Sequence, residues 1–142
     1  MQTVAQILQG KGGSVWTIRP DSNVFDALSV MADKGVGAIV VTDDGGLCGI
    51  LSERDYARKV ILFDRSSHET TVSEIMTSKV LVVSPETSVD ECMALMTDKR
   101  IRHLPVLDGD ELVGLVSIGD IVRAVISEQK FMIEELERYI TG

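Results

Sequence analysis

The sequence predicts a mixed α/β fold, with two pseudo-symmetric β-α-β-β-α units packed on each other through their sheets and an extended C-terminal helix. Three observations support this class. One 45-residue pattern occurs twice, each copy alternates short apolar runs with stretches of helical periodicity, and each copy contains a hairpin turn.

The duplication is the strongest of these signals. Residues 17–61 align with residues 82–126 at a constant offset of 65 without a gap, and 14 of the 45 positions are identical. A lead-in of pattern T-V-x-x-I at residues 3–7 recurs at residues 71–75, an offset of 68. We therefore expect repeat 1 at residues 1–64, a polar linker at 65–71 and repeat 2 at 72–142. Units of this size bury little surface alone, so the repeats should pack together.

Each copy has the same predicted order of elements. Repeat 1 reads as a strand at Val15–Arg19, a helix from Val24 capped by Asp21 or Ser22, and a break at Gly35 and Gly37. Then follow a buried strand at Ala38–Val41, turn residues Asp43–Gly46, a strand at Leu47–Leu51 and a helix from Ser52 to about Leu62.

The last helix is predicted to run from Ser117 to about Ile140, longer than its counterpart. Apolar residues recur along it at helical spacing past the end of the repeat, namely Val122, Val125, Met132, Leu136 and Tyr139. Two uses of this stripe stay open: packing on the chain's own core, or packing on a second subunit.

Composition excludes several classes of function. The formal net charge of −8 argues against nucleic-acid binding, which needs clustered cations. The longest apolar runs are far shorter than a membrane span, and residues 1–13 lack the pattern of a secretory signal, so a cytoplasmic location is expected. Cys48 and Cys92 read as small buried hydrophobes, and no spacing predicts a metal site.

Catalysis finds little support in the sequence. No nucleophile lies beside a recognisable base, and neither HExxH nor a phosphate-binding glycine loop is present. His103 is the one candidate base, because His68 falls in the polar linker.

Two repeated constellations could bind a ligand. The first is G-I-L-S-E-R-D at residues 49–55 and its copy G-L-V-S-I-G-D at 114–120. It fits a plain helix-capping box, and equally a helix N-terminus that binds phosphate, with an aspartate for ribose hydroxyls and a glycine that lets a base approach the backbone. The second is K-R-I-R-H-L-P-V at 99–106, where Arg102 and His103 precede a buried strand and suit a phosphate; copy one has Gly37 and Ala38 there.

These motifs together resemble a pair of cystathionine-β-synthase (CBS) domains, a Bateman module of the stand-alone type. The resemblance rests on the paired G-h-h-S-x-x-D motifs and on R-H-L-P-V in repeat 2, and it covers nearly the whole chain. It implies two clefts between the repeats that bind adenosine-containing ligands, with AMP expected first and ATP or NAD as alternatives, and a homodimer.

The resemblance also implies residues for each cleft. The cleft at Asp120 would use Ser22, Ala27, Val36, Gly37, Ala38, Arg102, His103, Leu115, Ser117 and Asp120. The cleft at Asp55 would use Ile50, Ser52, Arg54, Asp55, Thr87, Cys92, Ile101, Arg102 and His103. Because Arg102 and His103 match neutral residues in copy one, we expect the Asp120 cleft to bind phosphorylated ligands better. Arg58 and Arg123 are expected to be surface charges, solvated or paired. Lys11 is expected to be a loop charge, and the alternative that it reaches a phosphate stays open.

Three functions follow as hypotheses. The first is a regulatory module, without enzymatic activity, that senses adenylate or pyridine nucleotides and signals to an effector protein. The second is a structural dimerisation domain that binds no ligand. The third is a slow nucleotide hydrolase using His103.

Overall fold

The computed structural model describes residues 2–141 and confirms the mixed α/β class. Helices and strands occur in the order α1 (Val4–Lys11), β1 (Thr17–Ile18), α2 (Val24–Lys34), β2 (Ala38–Asp43), β3 (Gly46–Ser52), α3 (Glu53–Tyr56), α4 (Val72–Ile75), α5 (Val89–Lys99), β4 (His103–Asp108), β5 (Glu111–Ser117) and α6 (Ile118–Thr141). α3 continues as a wider π-helical segment, Ala57–Ile61.

The two repeats have matching hairpins. β2 pairs antiparallel with β3 in the register Ala38 to Ser52, and β4 pairs with β5 in the register His103 to Ser117. Each hairpin shifts register at the same point, after Val41 in one and after Val106 in the other. The duplication therefore extends to the irregularities of the backbone, and it places Ser52 and Ser117 at equivalent strand ends.

The first strand of each repeat is shorter than predicted. β1 contains two residues, parallel to β2, and in repeat 2 a single parallel bridge joins Val83 to Val106. The helix cap also moves by one residue, because the Asn23 side chain, and not Asp21 or Ser22, accepts a bond from the Asp26 amide at 2.9 Å.

The lead-in helices exchange places between the repeats. Val4 of α1 lies in the core formed by repeat 2, and Val72 of α4 lies in the core formed by repeat 1. Backbone bonds hold both: Val4 N–H donates to the Thr87 carbonyl at 2.9 Å, and Val72 N–H donates to the Ser22 carbonyl at 2.8 Å. Each repeat thus completes its core with a segment that precedes the other repeat.

Gly49 and Gly114 make room for side chains of the lead-in segments, and not for a nucleotide base. A Cβ atom on Gly49 would lie 2.5 Å from Met76 Sδ, and one on Gly114 would lie 2.6 Å from Leu8 Cδ2. Side chains of the lead-in segments therefore fill the space over both glycines, which corrects the role expected for them from the motif.

α6 extends well beyond the core. Residues 129–141 are all exposed, and Met132, Leu136 and Tyr139 are 57%, 60% and 87% exposed. This part of the helix does not pack on its own repeat, so the first of the two uses left open for the stripe is wrong there. None of the helices formed by residues 2–141 combines the length and the apolar composition needed to cross a membrane.

Candidate functional site

A large cavity lies between the repeats, beside Asp55. It has a volume of about 540 Å³, within the range of small-molecule sites. Its walls come from both copies and are Gly37, Ile50, Ser52, Glu53, Arg54, Asp55, Arg58, Lys59, Thr77, Lys99, Arg100, Ile101, Arg102 and His103. The expected mixing of residues from both repeats is therefore present here.

Asp55 is held by the helix cap with one oxygen. Its Oδ2 accepts bonds from the Ser52 amide at 2.9 Å and from the Ser52 hydroxyl at 3.0 Å. Its Oδ1 has Lys59 Nζ at 3.5 Å as its ion-pair partner. The capping box and the ligand-binding interpretation are thus compatible, because the cap engages Oδ2 and leaves Oδ1 for a hydroxyl donor.

Cations dominate the wall of this cavity. Six are present against two carboxylates; the cations are Arg54, Arg58, Lys59, Lys99, Arg100 and Arg102. Arg54 reaches across to the other repeat, where its Nη1 donates to the Arg100 carbonyl at 3.4 Å. Arg100 itself takes a left-handed conformation with φ 54°, where Gly35 ends the equivalent helix of repeat 1. This concentration of positive charge suits an anionic ligand in an otherwise acidic chain.

His103 stands opposite Gly37 in the same cavity. A Cβ atom on Gly37 would be 3.8 Å from His103 Nε2, so the glycine leaves room for the ring. Burial lowers the pKa of His103, and the nearby Lys11 and Arg102 charges lower it further, against the opposite effect of Asp120. The ring is therefore neutral at pH 7.

Asp120, the counterpart of Asp55, is fully engaged by the protein itself. Its Oδ2 accepts bonds from Lys11 Nζ at 2.7 Å and the Ser117 amide at 2.8 Å, and its Oδ1 pairs with Arg123 at 2.7 Å. Burial by itself raises the pKa of Asp120, but the bonds from Lys11 and Ser117 outweigh it and hold the pKa below the ordinary value. Only 5% of its side chain is exposed.

The cavity brings together most residues predicted for the Asp55 cleft. Thr87 and Cys92 are not among its walls; Cys92 is fully buried in the core of repeat 2, and Thr87 Oγ1 accepts a bond from the Ser84 amide. Burial also raises the pKa of Cys92 to about 11, with the Glu91 charge contributing, so this thiol is unreactive.

Residues predicted for the Asp120 cleft are dispersed. Gly37, Arg102 and His103 lie in the cavity at Asp55, while Ala27 and Ala38 are buried in the body of repeat 1. Ser22, Val36 and Leu115 are half-buried outside that cavity, and Ser117 caps α6 beside Asp120. The expected preference of the Asp120 cleft for phosphate stays a prediction: Arg102 and His103 line the cavity at Asp55, and the charge of Asp120 also acts on His103.

The sequence analysis did not assign several residues to the candidate site. Arg58, expected at the surface, lines the cavity together with Lys59, Lys99 and Arg100. Lys11, expected as a loop charge, ends α1 and binds Asp120. The spacing of Arg58 three residues after Asp55, on the same helical face, was the available signal.

The fold and this cavity define a class of protein: a duplicated module with a charged cleft where its two halves meet. The family model for the CBS domain matches residues 13–62 and 72–127, and the chain belongs to the CBS domain family. It is 44% identical to the mitochondrial CBS domain-containing protein CBSX3 of Arabidopsis thaliana over 99% of this chain and 72% of that protein.

Solved structures agree with this assignment. A signal-transduction protein with CBS domains from Burkholderia ambifaria is 55% identical, with a TM-score of 0.86, covering 90% of this chain and 96% of that one. A CBS domain pair solved in complex with 5′-methylthioadenosine and S-adenosyl-L-methionine is 25% identical, with a TM-score of 0.80, covering 90% of this chain and 98% of that one.

Proposed function

We propose that the chain is a regulatory module that binds an adenosine-containing nucleotide in the cavity at Asp55 and signals its occupancy to an effector protein. The observation that carries this proposal is the cavity itself, where an incompletely engaged carboxylate oxygen and six cations face one space. The carboxylate suits ribose hydroxyls, and the cations suit phosphate.

Two further points support an adenosine ligand. A structural relative holds 5′-methylthioadenosine and S-adenosyl-L-methionine, both adenosine derivatives. The cavity also offers apolar side chains, Ile50 and Ile101, on which a base can rest between the two repeats. Because the cations favour a phosphorylated form, AMP is the first candidate and ATP and NAD the next.

Regulation requires that the nucleotide-bound and nucleotide-free states differ in how the two repeats are arranged relative to each other. The cavity is built from both copies, and across it the Arg54 side chain donates to the Arg100 carbonyl over a long distance of 3.4 Å. A nucleotide that engages both sides changes the free energy of one arrangement relative to another, and a partner that prefers one arrangement reads the change. Binding, and not turnover, is the activity proposed, so AMP should be recovered intact after long incubation.

We further infer that the functional form is a homodimer. The exposed side of α6 presents six apolar residues that are between 45% and 81% exposed: Ile118, Val122, Ile126, Ile133, Leu136 and Ile140. They fall on one side of the helix and extend over about 33 Å. A second copy offers the same stripe, as symmetric interfaces require.

The binding proposal is tested with two matched variants, Asp55→Asn and Asp120→Asn. Each leaves an amide oxygen that can still accept from the capping serine, so the loss of charge is the same in both repeats. By calorimetric titration with AMP, Asp55→Asn should weaken binding by about tenfold to a hundredfold, the value of a bond to a charged group. Asp120→Asn should leave the affinity within about twofold.

Thermal denaturation gives an independent measure. AMP at 100 times its dissociation constant should raise the free energy of unfolding by about 2.7 kcal/mol in the wild type. No shift with AMP, ATP, NAD or S-adenosylmethionine would contradict the proposal and favour a structural dimerisation domain. Loss of binding in Asp120→Asn alone would place the ligand in the other cleft.

A further inference from the structure

We propose that Lys11 closes the Asp120 cleft from within, so that the chain binds one nucleotide and keeps a latent second site. This inference rests on the proposed function, because it concerns the pseudo-symmetric copy of the same site. Its basis is that the ammonium group of Lys11 bonds to the ligand-binding groups of that cleft.

Lys11 meets two groups whose counterparts differ in repeat 1. Its Nζ donates to Asp120 Oδ2 at 2.7 Å and to the Leu115 carbonyl at 2.9 Å. The counterpart of Leu115 is Ile50, whose carbonyl accepts from the Thr77 amide at 2.9 Å. In repeat 1 the Thr77 amide therefore satisfies the strand carbonyl, and the Asp55 carboxylate retains an oxygen that can accept from a ligand.

The difference originates in the lead-in segments. α4 ends at Ile75, after which Thr77 bridges to Ile50 beside the strand. α1 continues for an additional turn to Lys11 before Gly12 ends it. This extra turn places an ammonium group where repeat 1 has an extended backbone.

The charges around the two aspartates explain why an ion pair such as Lys11–Asp120, called the lock below, forms in one repeat only. Positions that carry Arg54, Lys59 and Arg100 in the wall of the Asp55 cavity correspond to Gly119, Ala124 and Gly35 in the other copy. Asp120 is buried with few cations from its own repeat pair, and a buried carboxylate needs a partner. Lys11 and Arg123 supply that partner, and a ribose would have to displace Lys11.

The test counts AMP molecules bound per chain by equilibrium dialysis. The wild type should bind one, and Lys11→Met, which keeps an apolar stem without the charge, should bind two. Lys79→Met is the matched control, because Lys79 is the equivalent of Lys11 in the second lead-in and is exposed; it should still bind one. Lys11→Gln repeats the test with a smaller change in polarity should the methionine variant be unstable.

A second arm uses Asp55→Asn in both backgrounds. With Lys11 present, this variant should show no tight binding, whereas Lys11→Met combined with Asp55→Asn should regain one equivalent. Two equivalents in the wild type, or one in both Lys11 variants, would overturn the lock while the proposed function stands. Absence of AMP binding in the wild type and in every Lys11 variant would overturn both.

Discussion

Identical motif residues can have different roles when their neighbours differ. Ser52 with Asp55 and Ser117 with Asp120 form the same capping box, and both serine amides donate to the aspartate at 2.8–2.9 Å. We attribute the difference between them to non-identical positions such as Arg54, Lys59 and Arg100, whose counterparts are Gly119, Ala124 and Gly35. The motif thus predicts where a cleft forms, and we propose that the surrounding cations determine which cleft binds an anion.

The half-buried ring of His103 leads to a prediction on pH for the proposed nucleotide binding. Burial puts its pKa below the ordinary 6.5, and a phosphate close to the ring raises that pKa again. Binding then takes up a proton between the two pKa values, so AMP affinity should increase as pH falls through that interval and level off below it. The gain is about tenfold for each unit by which the phosphate raises the pKa.

This prediction is checked by titrating AMP between pH 8 and pH 5.5 against His103→Gln. Free AMP titrates in the same range, identically for both proteins, so the ratio of the two affinities reports His103 and its coupling to the bound phosphate. The ratio should be near its minimum at pH 8 and grow on acidification. A ratio that does not change with pH would remove the phosphate from the neighbourhood of His103.

At the scale of elements, the sequence predicts what local chemistry determines. The hairpins followed from apolar runs beside Asp43–Gly46 and from their copies, and the helices from apolar spacing. The exchange of lead-in helices was not accessible in this way, because which core a short amphipathic segment joins depends on long-range packing. The only sign of this exchange in the sequence was that the lead-ins repeat at an offset of 68 and the repeat bodies at 65. Three additional residues therefore separate α1 from its repeat body.

The tight contact between α1 and β5 yields a stability prediction. Gly114→Ala should lower the free energy of unfolding by about 1–3 kcal/mol, because the new methyl group would meet Leu8 Cδ2 at 2.6 Å and Cδ1 at 2.8 Å. Gly10→Ala, in α1 itself with nothing within 4 Å of the added atom, is the control. It should raise stability by about 0.5–1 kcal/mol through helix propensity.

Urea denaturation of the two variants and the wild type measures both effects. A neutral Gly114→Ala would mean that Leu8 moves away without loss, and that the glycine is not required for the packing of α1. We expect Gly114→Ala also to loosen α1, the helix that carries Lys11. The stability of α1 would then be linked to the Lys11–Asp120 bond that closes the Asp120 cleft in our proposal.

The whole molecule combines two cores that each borrow a segment from the other half. Val4 and Val72 connect the halves in opposite directions, so neither repeat completes its core without the other. Since each core contains a segment of the other half, we expect a change at the shared cavity to affect both halves. α6 leaves this body at Ile118, directly after the strand that carries Ser117, and its residues 129–141 are all exposed.

Association through α6 is the prediction for the assembly. Light scattering should give twice the chain mass of 15.5 kDa for the wild type and the single mass for Ile133→Glu combined with Leu136→Glu, because two carboxylates in the paired stripe lose their hydration. Phe131→Glu is the control: Phe131 is 62% exposed but lies two residues from Ile133, on the other side of the helix. It should leave the dimer intact.

Equal dissociation by all these variants would implicate the whole helix surface, and a monomeric wild type would assign the stripe to a different protein. Since the cavity at Asp55 lies within one chain, the monomeric variant should keep its AMP affinity, which separates nucleotide binding from assembly.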